Sequence, residues 1–172
     1  MKPMTHLNRF TMALVLIWLG TSPNAGADEG PALPNPVPAV YTQECASCHI
    51  PYPPGMLSAS SWQRIMGGLA KHYGTDAALD PKSHQAIASW LKAHAGTHRR
   101  VSESSPEDRI TTSAWFDRKH RKIEPSVWKL PSVKSASNCM ACHRQAEAGV
   151  YSDHDLIVPA GVPASMQRAW RD

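Results

Sequence analysis

Cys45-Ala46-Ser47-Cys48-His49 and Cys139-Met140-Ala141-Cys142-His143 decide how this chain is read. Each is C-x-x-C-H, the attachment signature of c-type haem. On one helical turn, residues i, i+3 and i+4 share a face, so each thiol can form a thioether with a vinyl edge of the porphyrin while the adjoining imidazole reaches the iron. The two motifs use all 4 cysteines of the chain and predict two covalent haem c groups, with His49 and His143 as proximal iron ligands.

Other uses of paired cysteines make demands this spacing does not meet. A zinc ribbon places its two pairs about 15 to 20 residues apart, whereas Cys48 and Cys139 have residues 49–138 between them. A thioredoxin-like redox pair sits in a βαβ context, which the sequence around Cys45 lacks. Two structural disulfides would suit an exported chain, but they do not call for histidine at both fifth positions.

Outward from the motifs, the first 27 residues read as a secretory signal peptide. Lys2 and Arg9 supply a positive start, Phe10 to Leu19 is an apolar run, and Ala25-Gly26-Ala27 offers a cleavage site. Cleavage after Ala27 gives a mature, periplasmic chain beginning at Asp28. The formal charge of +4 then falls by two, the contribution of Lys2 and Arg9, to +2. Two haems, each near one negative charge when propionates and ferric iron are counted, bring the loaded protein close to neutral. The basic run Arg118-Lys119-His120-Arg121-Lys122 is short and flanked by acids, so it reads as a solvated helix face or a patch for an acidic protein, and no nucleic-acid partner is expected.

The pattern between the motifs is helical. A helix over Ala39 to His49 carries the first motif until Pro51, Pro53 and Pro54 break it. Ser60 with Gln63 reads as a capping box opening a helix with Trp62, Ile65, Met66, Leu69, His72 and Tyr73 on one face and Gly74 at its end. Asp80 and Pro81 open a third helix with Ile87, Ala88, Leu91 and Ala95 inside and Gly96 as its stop. Residues 97–109 are polar and unpatterned, a linker. A short helix from Ser113 to Lys122 precedes Pro125, another runs over the second motif from after Pro131 to Gly149, and the tail holds at most a turn over Ala164 to Trp170. The predicted fold is mainly α. After a signal peptide at 1–27, a first, cytochrome c-like haem domain spans 28–105, and a smaller, irregular, partly helical haem domain spans 106–172. Lobes of about 70 residues have marginal cores by themselves, so the porphyrins are expected to fill them.

The position opposite each proximal histidine sets the chemistry, because an open one permits ligand or peroxide chemistry and a filled one leaves electron transfer. The loop Gly74 to Asp80 contains no Met, although the first lobe resembles a class I cytochrome c, a class that usually supplies Met from there. His72, on an apolar helix face, is the distal candidate for the first haem, and His120, four residues after Phe116, for the second; the pairing is open. His94 and His154 are the reserves. His84 and His98 read as surface or linker residues, Met56 and Met66 as loop and core residues, and Met140 points away from the iron.

Taken together, Cys45-x-x-Cys48-His49, Trp62, Leu69-x-x-His72-Tyr73-Gly74, Arg109-Ile110-Thr111, Trp115-Phe116-x-x-x-His120 and Ser137-Asn138-Cys139-Met140-Ala141-Cys142-His143 through Gly149 resemble the dihaem cytochrome c family. The resemblance implies small periplasmic electron carriers with two bis-histidine haems, His72 and His120 as distal ligands, and a small oxygen-binding monohaem cytochrome c or a membrane cytochrome b as partner. It leaves no substrate pocket to expect and no catalytic residues. Two alternatives remain: a dihaem peroxidase with one open iron, from chains about twice this length, and the small dihaem subunit of a periplasmic reductase, whose motifs lie closer together than the offset of 139 − 45 = 94 residues here.

Overall fold

The computed structural model describes residues 31–97, 101 and 105–171. The expected signal peptide, its cleavage site and His98 lie outside the described residues. The chain is helical, as its pattern predicts. Among the described residues, four α-helices, α1 (Ala39–Cys45), α2 (Ala59–Gly67), α3 (Pro81–Ala93) and α4 (Ala114–His120), are joined by extended loops and short 3₁₀ turns. There is no strand among the described residues, only isolated bridges at His72–Thr75 and His143–Leu156.

The helix ends differ from the expected ones for local reasons. α1 stops at Cys45, so Cys48 and His49 leave it in a turn, where the Ser47 hydroxyl donates to the Glu44 carbonyl at 2.9 Å. α2 is capped by Ser58, which accepts from Ser61 N, and not by Ser60. It ends at Gly67, because the Gly67-Gly68 pair lowers helix propensity before Gly74 is reached. A tight turn over Leu69–Lys71 follows, and His72 sits in extended backbone beyond it, not on the helix face. Tyr73 and Gly74 then reverse the chain with φ of 49° and 96°. α3 starts as expected, the Asp80 carboxylate accepting from Lys82 N at 2.9 Å and Ser83 N at 3.1 Å, but ends at Ala93, before Gly96. α4 is capped by Ser113 and stops at His120, short of Lys122.

The helix expected over the second motif does not form. Cys139–Ala141 and Ala146–Ala148 are separate 3₁₀ turns. Short polar side chains compete with helical pairing here: Ser137 N donates to Ser135 Oγ at 3.1 Å and Asn138 Nδ2 to the Val133 carbonyl at 3.0 Å. Gly149 does end the segment, with φ 76°, and a Cβ there would lie 2.8 Å from the Leu33 side chain and 2.9 Å from its backbone nitrogen.

The main core holds Tyr41, Leu57, Trp62, Met66, Ile87 and Leu91, gathered by α1, α2 and α3. Met56, expected as a plain loop residue, is buried as well. The second core is far smaller, built on Val127, Val133 and Val162 with partly buried Ile123, Trp128, Met166 and Trp170 around it. The end of the expected linker is an organised turn. Glu107 and Asp108 adopt φ of 56° and 55°, and Arg64 of α2 grips the Asp108 carboxylate with two bonds of 2.7 and 2.8 Å. The Tyr73 hydroxyl donates to the carbonyls of Glu107 and Asp108, and the Arg109 guanidinium lies 4.1 Å over the Tyr73 ring.

Candidate haem-binding site

A cavity of about 1240 Å³ reaches both C-x-x-C-H motifs. A site for one drug-sized ligand encloses about 300 to 1,000 Å³, so this space exceeds what one such molecule needs. Cys45, Cys48, His49 and His72 line it from the first lobe, and His120, Cys139, Cys142 and His143 from the second.

The four histidines form two facing pairs. The rings of His49 and His72 have centres 6.3 Å apart with planes at 32°, and those of His120 and His143 have centres 6.1 Å apart with planes at 76°. An imidazole nitrogen binds a first-row metal at about 2 Å and lies about 1.2 Å from its own ring centre, so two rings ligating one ion from opposite sides have centres about 6 to 6.5 Å apart. Both pairs match that spacing. Among the described residues no group of three or more His, Cys, Asp or Glu side chains converges on a point. A porphyrin, supplying four nitrogens of its own, asks the chain for only two.

Local structure fixes the rings. His49 Nδ1 lies 2.6 Å from the Ile50 carbonyl and His120 Nδ1 lies 3.0 Å from the Phe116 carbonyl. In both cases the ring N–H donates to that oxygen, which leaves Nε2 with its lone pair available to a metal. His49 also stacks on Tyr52, centres 4.9 Å apart at 27°, and His120 stacks on Phe116 at 4.0 Å and 20°, with Trp128 edge-on. His143 Nδ1 and the Tyr151 hydroxyl are buried without a hydrogen-bond partner.

Charge and burial suit the same group. Burial, then the neighbouring His49 and Arg109, lowers the pKa of His72; burial lowers that of His120, and burial followed by His120 lowers that of His143. All three therefore favour the neutral, ligating imidazole. Burial pushes the thiols of Cys45 and Cys139 up to about 11 and raises that of Cys142. Thiolate nucleophiles and thiolate metal ligands need the opposite shift, whereas a thioether sulfur is uncharged and accepts burial. All four cysteines are free of disulfides. Arg109, Arg118, Lys119, Arg121 and Lys122 border the cavity, and their positive charge would suit the propionates of a bound haem.

The other histidines stand apart or lack a facing partner ring. His94 Nδ1 bonds to the Trp90 carbonyl, away from the cavity. His84, expected at the surface, is half-buried and its Nε2 contacts the Met66 carbonyl at 3.0 Å, joining α3 to α2. His154 borders the cavity but its side chain is 91% exposed beside Asp153. Met140 is exposed. Sequence reasoning missed Tyr52, Tyr151 and the part played by the tail, whose Ala169, Trp170 and Arg171 also border the cavity. Tyr52 and Tyr151 stand three and eight residues after the two motif histidines, a position that would have drawn attention to them.

The profile of the dihaem cytochrome c family matches residues 41–151, which takes in both motifs and both facing pairs. The chain belongs to the dihaem cytochrome c family. Among solved structures it is similar to DHC purified from Rhodobacter sphaeroides, at 38% identity over 67% of this chain and 97% of that one, with a TM-score of 0.58. It is similar also to the diheme cytochrome type c of Shewanella baltica OS155, at 36% identity over 72% and 96%, with a TM-score of 0.63. No curated protein matches. As a dihaem cytochrome c the chain holds two iron-bearing haem c groups and serves haem-based electron transfer.

Proposed function

We propose that this dihaem cytochrome c is a periplasmic electron carrier, not an enzyme, in which all four facing histidines ligate iron: His49 with His72 at the first haem, His143 with His120 at the second. Cys45 and Cys48 anchor the first porphyrin and Cys139 and Cys142 the second. The observation that carries this reading is the matched pair of ring spacings, 6.3 and 6.1 Å. Each haem, when bound, cycles between ferric and ferrous iron and so accepts and releases one electron. His49 with His72 and His143 with His120 would hold the two irons. Ile50 and Phe116 carbonyls orient two of the rings, burial favours the neutral imidazole at His72, His120 and His143, and the basic rim would balance the propionates. Irons so held would offer no open position to oxygen, peroxide or carbon monoxide.

Export rests on the sequence of residues 1–27 and on C-x-x-C-H chemistry; no described helix is long and apolar enough to cross a membrane. The partners that fit are other redox proteins, with a small oxygen-binding monohaem cytochrome c and a membrane cytochrome b as the ones the family resemblance suggests. The test is spectroscopic. Exported protein is expected to show two porphyrin adducts by mass, a low-spin ferric spectrum without a methionine charge-transfer band, and a ferrous spectrum indifferent to carbon monoxide. A high-spin component or rapid carbon monoxide binding at one haem would overturn the closed-iron reading in favour of an enzyme.

A further inference from the structure

Tyr52 touches the machinery of both lobes. Its ring stacks on His49, centres 4.9 Å apart at 27°, and its hydroxyl donates 2.9 Å to the Ser137 carbonyl, 85 residues further along. The Cys139 sulfur lies 3.6 Å from that same carbonyl. An unbroken series of contacts therefore runs from the His49 imidazole through the Tyr52 ring and hydroxyl and the Ser137 carbonyl to the sulfur of the second motif. The starting point of the series is rigid. Pro51 and Pro53 flank Tyr52 and are both buried, and the buried Tyr41 hydroxyl donates to the Tyr52 carbonyl at 2.7 Å.

We propose that Tyr52 is a positioning residue with two roles: its ring sets the plane of the His49 imidazole, and its hydroxyl ties the first site to the second motif so that an electron passes between the two haems inside one molecule. The inference rests on the bis-histidine dihaem reading. The step is a one-electron exchange in which ferrous iron at one site becomes ferric as ferric iron at the other becomes ferrous; no bond forms or breaks and no co-reactant enters. A purely structural tyrosine in this place would need neither its hydroxyl on a carbonyl beside a haem-bearing cysteine nor its ring on a ligating histidine. The bond to Ser137 has a mechanical effect as well, since it fixes the distance between lobes where the second has little core of its own.

Two substitutions separate the roles. Tyr52→Phe keeps the stacked ring and removes the hydroxyl; Tyr52→Leu removes both. Each is prepared as exported, doubly haem-loaded protein. One electron per molecule is delivered by pulse radiolysis, and the relaxation that does not depend on protein concentration is followed. Tyr52→Phe is expected to slow that relaxation severalfold while the paramagnetic resonance signal of the first haem and both midpoint potentials stay as in the wild type. Tyr52→Leu is expected to slow it further and to shift the first-haem signal, because the His49 ring is free to turn. A wild-type relaxation in Tyr52→Phe overturns the bridging role, and an unshifted first-haem signal in Tyr52→Leu overturns the orienting role. Failure of the underlying reading looks different: wild-type protein without two low-spin haems.

Discussion

His120 and His143 face one another with ring planes at 76°, whereas His49 and His72 stand at 32°. The difference comes from what each ring leans on: Phe116 fixes His120 by a stack and a carbonyl, and Tyr52 with Ile50 fixes His49. Nearly parallel imidazoles split the iron d orbitals in the same direction, and nearly perpendicular ones cancel each other's splitting, a case of axial ligands tuning iron electronics. Ferric protein at low temperature should therefore give two distinct low-spin resonance signals, the second haem with the larger maximum g value. A single signal integrating to two spins contradicts these plane angles.

On the proposed ligation, removing a distal ring should open one iron and leave the other closed. His72→Ala and His120→Ala should each turn one haem of the two high-spin and make that haem alone bind carbon monoxide in the ferrous state. The resonance signal that disappears identifies the pair: the near-parallel one for His72, the near-perpendicular one for His120. A variant that keeps its full low-spin spectrum excludes that histidine as a ligand.

The motifs, the absence of a strand pattern, the cap at Asp80 and the helix start at Ser113 are legible in sequence, because each depends on residues within a few positions of one another. Helical spacing puts His72 on a helix face, while the structure holds it in the turn beyond Gly67-Gly68, whose two adjacent glycines end α2 early. The helix expected between Pro131 and Gly149 does not form: those boundary residues say nothing of Ser135, Ser137 and Asn138, which bind the backbone locally. The position of Tyr52 three residues after His49 is a signal in the sequence, but its tie to the second motif is not, because the partner lies 85 residues away and is a backbone oxygen. The turn at Glu107-Asp108 was hidden for a related reason, since Arg64, which holds it, belongs to another element.

The second lobe should depend on its porphyrin more than the first. Its fully packed core is three valines, against Tyr41, Leu57, Trp62, Met66, Ile87 and Leu91 in the first, and so small a core does not offset chain entropy by itself. The double variant Cys139→Ala, Cys142→Ala is expected to lose one haem by mass and to become rapidly cleavable by protease within residues 121–171, while the first haem keeps its low-spin spectrum. Equal protease resistance in variant and wild type would show the lobe to be stable without its haem.

Ile87, with no exposed surface, sits at the centre of the first core on α3. Ile87→Ala removes buried methyl and methylene groups and leaves a cavity that neighbours fill only in part, a change that costs about 2 to 5 kcal/mol. Thermal unfolding of the haem-loaded protein should show the first lobe melting earlier, with the ferric spectrum of both haems unchanged at room temperature. A melting curve that overlays the wild type would mean that the lobe's stability resides elsewhere.

Asp108 gives the acid side of the stability profile. Its carboxylate is held by both Nε and Nη2 of Arg64, and these hydrogen bonds, followed by Ser61 and the guanidinium charge and opposed only by some burial, keep its pKa below the ordinary value. A carboxyl depressed in the folded chain stabilises it only when ionised. The contribution is therefore complete above the unfolded-chain value of about 3.9 and is lost as pH falls through the lower folded value. Asp108→Asn lacks that contribution at every pH. Its melting temperature should be a few degrees below the wild type at neutral pH, and the gap should narrow progressively as the solution is taken below about pH 4, where the wild-type carboxylate also protonates. A gap that stays constant from pH 7 to pH 2 would assign the loss to packing in the Glu107-Asp108 turn and not to the ion pair with Arg64.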